Sequence, residues 1–195
     1  MAMSEEEWLR CSETNPMFAA IEQPSEAMLT AFNLACCRRV RGLITDNVLH
    51  QALDALEYVA GQCTVPADLA LVANQVDTSS RDPSCNPNVA MAVGHAVCRF
   101  LPPGSFHYWT DAVDNARLVA LYCQWAVGRA ADPDPDADAA DPYGTNDDAE
   151  PGLMWVRERA QQAEASAQCD LIRGLFSRCA EPGHSQDAEP GAAPS

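Results

Sequence analysis

The sequence predicts an all-α fold, an irregular bundle of about seven or eight helices. Apolar residues recur at steps of three and four over most of the chain, which is the spacing of a helix with one buried face. Residues that favour helix N-caps precede most of these stretches. No stretch alternates apolar and polar positions in strand-favouring residues, so no sheet is expected.

The first third of the chain contains three predicted helix starts. Ser4 followed by Glu7 matches a capping box, in which the two side chains satisfy backbone N–H groups at the helix start. Asn15 and Pro16 supply a cap and a proline at the first helical position. Ser25 precedes the third and longest of these helices. Its predicted apolar stripe is Met28, Leu29, Phe32, Cys36, Val40 and Leu43.

Three further helices are predicted in the middle of the chain. Asp46 caps the first, and Gly61 is its expected end because glycine favours helix C-termini. The predicted stripe of this helix is Leu49, Ala52, Leu53, Leu56, Val59 and Ala60. A shorter helix follows Pro66. Residues 77–88 have the composition of a loop, and Asn86, which precedes a proline, begins the third helix.

The two longest predicted helices lie in the second half of the chain. The stripe of the first is Trp109, Ala112, Val113, Ala116, Val119, Ala120, Cys123 and Val127. The second, roughly 153–178, is expected to bury Val156, Ala160, Ala163, Ala167, Leu171 and Leu175.

An Asp/Pro-rich segment separates these two helices. Residues 132–150 hold eight acids and no base, so like charges and prolines predict a disordered linker. Residues 181–195, rich in Pro, Gly, Ala and Ser, are expected to form a disordered tail. Residues 1–180 are therefore predicted to be a single helical domain that the linker interrupts.

Composition and charge argue against several classes of function. The net charge is −16 and no basic face is available to neutralise phosphates, so nucleic acid is not an expected partner. No apolar run approaches the ~18 residues of a membrane span, so no membrane association is expected. The acidic N-terminus lacks the apolar segment of a secretory signal, which favours a cytoplasmic location. The nine cysteines are then expected to be reduced, without a structural disulfide.

Three segments taken together resemble a known family. They are Glu6-Glu7-Trp8-Leu9-Arg10-Cys11, Leu34-Ala35-Cys36-Cys37-Arg38-Arg39, and Gln168-Cys169-Asp170-Leu171-Ile172-Arg173 with Phe176. The chain is similar here to a paralogous family of bacterial hypothetical proteins, which open with Glu-Trp-Leu-x-Cys and continue through an Ala-Cys-Cys-Arg-Arg helix. Members have Asp-Ile-Phe-Gly where this chain has Gly174-Leu175-Phe176-Ser177, and they usually continue further. The resemblance implies a helical fold and no known activity.

The most distinctive local chemistry is Cys36-Cys37-Arg38-Arg39. Adjacent side chains on a helix point about 100° apart, so the two thiols are badly placed to bind one metal ion. Neighbouring arginines would favour the thiolate of an exposed Cys37, which makes Cys37 the candidate reactive thiol. The alternative places Cys36 in the core and the arginines at the helix C-terminus, where the helix dipole favours them.

Metal sites and cofactor sites have little support in the sequence. His95 and Cys98 share one helical face, but no Cys-x-x-Cys pair exists, and a buried histidine beside a buried cysteine is the simpler explanation. Asp132, Asp134 and Asp136 match positions of a calcium loop, but the glycine and glutamate of that loop are missing and prolines forbid its geometry. The chain also lacks a glycine-rich phosphate loop and a dinucleotide fingerprint. No catalytic residue, no metal ligand and no cofactor is therefore predicted.

The candidate binding residues are Arg38, Arg39 and Arg41, which cluster in an acidic chain. Arg38 and Arg41 lie on one side of the predicted helix, away from much of the apolar stripe, and Arg39 flanks the stripe. Arginine pairs with carboxylates bidentately, so these residues are expected to bind a carboxylate-rich partner or the linker 132–150. The alternative is compensation of the helix dipole together with ordinary surface ion pairs.

These observations favour a non-enzymatic helical protein-interaction module whose unknown partner is another protein. The alternative is a thiol- or metal-dependent enzyme that uses Cys37 or the pair His95 and Cys98. One observation separates the two hypotheses, namely whether these side chains converge in a pocket or are spread through the core.

Overall fold

The computed structural model describes residues 3–62, 69–79, 85–100, 111–131 and 151–176. Over these ranges the chain forms eight α-helices and a 3-10 turn and contains no strand, which confirms the predicted all-α bundle. The helices are α1 (Glu5–Arg10), α2 (Thr14–Ala20), α3 (Glu26–Arg39), α4 (Asn47–Gln62), α5 (Leu69–Ser79), α6 (Pro87–Cys98), α7 (Ala112–Ala130) and α8 (Pro151–Phe176). The 3-10 turn, Arg41–Leu43, lies between α3 and α4. The predicted linker 132–150 and tail 181–195 lie outside the described residues.

Several helices begin at the caps that the sequence predicts. Ser4 and Glu7 form the capping box of α1, and the Ser4 hydroxyl accepts a hydrogen bond from the Glu7 N–H at 3.2 Å. At the start of α3 the Ser25 hydroxyl accepts a hydrogen bond from the Met28 N–H at 3.3 Å. Asp46 accepts a backbone hydrogen bond of 2.7 Å at the start of α4, and Asn86 caps α6. These caps satisfy backbone donors that have no partner within the helix.

Other predicted boundaries are wrong by a few residues. Helix α2 follows Glu13, which makes no side-chain cap bond, so Asn15 is not the cap. Helix α4 continues past Gly61 to Gln62. Helix α5 extends to Ser79, into the segment predicted as a loop. Ends of helices fray and are sensitive to tertiary contacts, so local sequence places them less well than their interiors.

The core lies where α7 packs against α6, α8 and α3, and α2 packs against α7 and α8. Phe18 of α2 contacts Phe32 of α3 and Phe176 of α8 edge to face, with ring centroids 5.0 and 6.5 Å apart. Helices α7 and α8 approach closely at Gly128, because a Cβ there would lie 2.6 Å from the Gln161 side chain. The contact between Phe18 and Phe176 places the C-terminal end of α8 beside the N-terminal helices.

The buried face of α8 differs from the predicted one. The predicted stripe is half-buried or exposed in the structure: Val156, Ala160, Ala163, Ala167, Leu171 and Leu175. The buried residues are Glu164, Gln168, Cys169, Ile172 and Phe176. Two of these residues, Glu164 and Gln168, are polar. A prediction from the spacing of apolar residues cannot assign polar residues to the buried face, so it selected the neighbouring, more apolar face of α8.

Candidate functional site

Arg38 and Arg41 pair with carboxylates inside the protein. The Arg38 Nε atom donates a hydrogen bond to Glu57 at 2.8 Å, and Arg41 lies 3.1 Å from Asp54 and 3.5 Å from Glu57. The bond from Arg38 lowers the pKa of the Glu57 carboxyl. These contacts join α3 and the 3-10 turn to α4 as surface ion pairs, which is the alternative considered for these residues. Partner binding by the arginines stays a prediction, and contact with 132–150 lies outside the described residues.

Arg39 makes a different contact, on another side of α3. Its Nε and Nη2 atoms donate to both carboxylate oxygens of Glu164 on α8, at distances between 2.9 and 3.1 Å. The Glu164 side chain is only 5% exposed, whereas the Arg39 side chain is 40% exposed. The hydrogen bond to Glu164 raises the pKa of the Arg39 guanidinium. The pair therefore neutralises a buried acid and leaves part of the guanidinium hydrated.

Gln168 extends this ion pair into a polar network between α7 and α8. Its amide nitrogen donates to Glu164 at 3.2 Å and to the Ala120 carbonyl at 3.1 Å. Its amide oxygen accepts a hydrogen bond from Gln124 at 2.8 Å. Gln168 is fully buried and uses both its donors and its acceptor, as buried amides require. The network explains why a helix face with two polar residues is buried.

Cys37 is buried, which corrects the expectation that it is an exposed, reactive thiol. Cys36, Cys37 and Cys123 of α7 all have 0% exposure. A hydrogen bond with Cys37, together with burial, raises the pKa of Cys123, and burial raises the pKa of Cys36 well above its ordinary value. The reason is that α3 packs against α4, α6, α7 and α8, so both directions of the cysteine pair are covered. Burial thus disfavours the thiolates of Cys36 and Cys123 despite the neighbouring arginines.

His95 and Cys98 are core residues of α6 that face α7. Their exposed fractions are 4% and 8%. The His95 carbonyl accepts hydrogen bonds from the Asn115 amide at 2.9 Å and from the Cys98 thiol at 3.2 Å. The His95 ring stacks on Tyr122 with centroids 5.5 Å apart. Burial lowers the pKa of His95 and raises the pKa of Cys98 to about 11, so both side chains are neutral near pH 7.

The residues that the alternative enzyme hypothesis would use, Cys37, His95 and Cys98, do not converge in one site. Cys37 meets α7 at Cys123, whereas His95 and Cys98 meet it at Asn115. These two positions on α7 are about 12 Å apart along the helix axis. In the part of the chain that the structure describes, no three His, Cys, Asp or Glu side chains are grouped so that they could bind a metal ion.

A groove lies beside the N-terminal helices, between α1, the turn from α2 to α3, and the end of α8. Its volume is about 840 Å³. Its apolar lining residues are Met3, Trp8, Leu9, Ala20, Ile21, Pro24, Met28 and Phe176. Two acids, Glu5 and Glu22, also line it, without any basic residue. We call this depression the α1 groove.

Helix α1 forms one wall of the α1 groove although it buries none of its own residues. Arg173 of α8 attaches it to the bundle. The Arg173 guanidinium donates to the Trp8 carbonyl at 3.3 Å and to the Cys11 carbonyl, and it also pairs with Asp170 at 2.6 Å. Carbonyls at a helix C-terminus have no partner within the helix, so Arg173 acts as a C-terminal cap from another helix.

The opposite wall contains a strained turn. Gln23 has a φ of 50°, and it is the one non-glycine residue with positive φ among the described residues. This left-handed conformation costs an L-residue roughly 1–2 kcal/mol. The neighbouring Ile21 and Glu22 line the groove. Strained residues of this kind concentrate at binding sites, which makes the turn part of the candidate site.

Sequence analysis missed the α1 groove because its walls come from distant parts of the chain. The one indication in the sequence is the family resemblance, because segment 6–11 and segment 168–173 with Phe176 are two of the three segments that carry it. The structure brings the two segments together through Arg173 and places Phe176 in the groove with Trp8. Nothing in local spacing indicates this contact.

Comparison with known proteins leaves the site to be interpreted from its own geometry. None of the described helices combines the length and apolar composition that a membrane crossing requires. No protein-family model matches the chain, and no curated protein or solved structure matches it either.

Proposed function

We propose that the protein is a non-enzymatic helical interaction module that binds a segment of another protein in the α1 groove. The observation that carries the proposal is the groove itself, a depression of about 840 Å³ with eight apolar lining residues. Leu9, on one wall, remains 61% exposed. Apolar surface gathered in a concave site is typical of binding sites.

The chemistry of the alternative candidates supports binding over catalysis. A nucleophilic thiol must reach its substrate as a thiolate. Cys37 is 0% exposed and Cys98 is 8% exposed, and burial raises the pKa of Cys98 to about 11. His95, on the same helix as Cys98, is 4% exposed. These side chains are suited to packing between helices.

The proposal places the protein in the cytoplasm and gives it a protein partner. All seven described cysteines are free thiols, which a reducing compartment maintains. The net charge of −16 disfavours nucleic acid as the partner. The family resemblance brings no activity to this proposal, which therefore depends on the α1 groove.

Photo-crosslinking in cells tests the proposal. A photoreactive amino acid replaces Leu9 in one variant and Leu71 of α5 in the control. Both leucines are 61% exposed, but only Leu9 lines the α1 groove. We expect discrete crosslinked adducts from the Leu9 position and none from Leu71. Adducts from neither position, or the same adducts from both, overturn the proposal.

A further inference from the structure

We infer that the segment bound in the α1 groove is a cationic amphipathic helix, with apolar residues on one face and Lys or Arg beside them. The inference rests on the proposed function and deepens it. Its first support is the charge of the groove. Glu5 and Glu22 are the charged residues of a mainly apolar lining that also includes Ser4, Gln23 and Ser25, and no basic residue accompanies them. Complementary charge at the rim of an apolar site selects the partner and orients it.

The second support is that neither acid has a hydrogen bond or an ion pair among the described side chains. Among the described side chains, four carboxylates have no hydrogen bond or ion pair: Glu5, Glu13, Glu22 and Glu158. The remaining described carboxylates cap helices or pair with arginine. On the other side of α1, for example, Glu6 pairs with Arg10 at 2.9 Å and Glu7 closes the capping box. Two of these four carboxylates line the same groove.

The third support is the kind of recognition that the groove allows. A partner that binds as an added β-strand needs a free strand edge, and the described residues contain no strand. A helix needs apolar pockets for its anchors, which Trp8, Ile21, Met28 and Phe176 supply. Lysine and arginine lay their apolar stems on such a floor while their charged ends reach outward to carboxylates.

Two synthetic peptides provide the test. One is a helix of about 15 residues with a leucine face and a lysine face, and the other has glutamate in place of lysine. Binding to the 195-residue chain is measured by titration calorimetry at several salt concentrations. We expect the lysine peptide to bind more weakly as salt rises, because exposed charge pairs are screened. The glutamate peptide is expected not to bind.

A matched pair of variants locates the site. Glu5→Gln with Glu22→Gln removes the groove acids, and Glu13→Gln with Glu158→Gln removes the same charge elsewhere. We expect the first pair to weaken binding of the lysine peptide about tenfold and the second pair to leave it unchanged. Glu5 also favours the start of α1 through the helix dipole. Glu22 lies outside any helix, so weaker peptide binding by the single variant Glu22→Gln cannot be caused by a weakened start of α1.

Each other result overturns the inference. Equal losses in both pairs of variants mean general attraction to an acidic protein rather than recognition by the groove. If the glutamate peptide binds as tightly as the lysine peptide, the partner is not selected by positive charge and the inference is wrong. The proposed function still stands in that case if Leu9→Ser weakens the binding. Failure of both peptides to bind overturns the cationic helix, and the photo-crosslinking result then decides the proposed function separately.

Discussion

Arg39 on α3 and Glu164 on α8 form a bidentate ion pair between residues that are 125 positions apart in the sequence. The adjacent Arg38 pairs instead with Glu57 of α4. The Glu164 side chain is 5% exposed, whereas that of Glu57 is 30% exposed. Two neighbouring arginines therefore connect α3 to two helices through carboxylates that differ in burial, and their contributions to stability should differ accordingly.

Replacing Arg39 by methionine should lower the free energy of unfolding by on the order of 3 kcal/mol, because a buried carboxylate loses its partner. Arg38→Met should cost at most about 1 kcal/mol, since its pair is exposed to solvent. Urea denaturation of the three proteins at neutral pH measures both changes. Equal losses for the two variants would contradict the difference in burial.

Replacing Gly128 by alanine should be neutral or destabilising, because the new Cβ lies 2.6 Å from the Gln161 side chain. In a Gln161→Ala background the same change should stabilise the protein by up to about 1 kcal/mol, since alanine favours the helix. A double-mutant cycle in urea measures the coupling. An additive cycle would mean that α7 and α8 do not meet at this point.

Stability should fall as the pH drops below about 6.5, the ordinary pKa of histidine. Burial lowers the pKa of His95, so as the pH falls His95 becomes protonated in the unfolded chain before it does so in the folded chain. The contribution is complete above the unfolded pKa and is lost progressively as the pH falls from there through the lower pKa of the folded state. His95→Gln should flatten this part of the curve of urea midpoint against pH. Parallel curves for the two proteins would show that His95 does not titrate on unfolding.

Alkylation of the native protein followed by peptide mass spectrometry should label Cys11, the one described cysteine that is partly exposed. The other six described cysteines are buried and should react only after unfolding in urea: Cys36, Cys37, Cys85, Cys98, Cys123 and Cys169. Labelling of Cys37 at the rate of Cys11 would restore the hypothesis of a reactive thiol at that position.

Replacing Arg173 by methionine should release α1 while the rest of the bundle stays folded, because α1 buries no residue of its own. Hydrogen exchange of amides in α1 should become faster, and exchange in α3 and α7 should not change. Arg10→Met is the control, since it removes only the exposed pair with Glu6. Loss of protection throughout the bundle would show that Arg173 supports the core and not α1 alone.

Local sequence predicts the parts of this structure that local contacts determine. Ser4 and Asn86 were identified as caps because each bonds backbone groups within three residues of itself. The burial of Gln168 could not be predicted, because the residue is polar and its partners on α7, Ala120 and Gln124, lie more than forty positions away in the sequence. The same limitation applies to Cys37, since adjacent cysteines are both buried only when several helices surround α3. The α1 groove was not predicted because its walls, too, come from distant parts of the sequence.

Arg173 binds the backbone oxygens of Trp8 and Cys11 and none of the side chains that α1 displays. Main-chain carbonyls are the same whatever residues carry them, so this attachment places no demand on the identity of the groove-lining positions. Substitutions at Glu5 or Leu9 can therefore accumulate during evolution without detaching the helix.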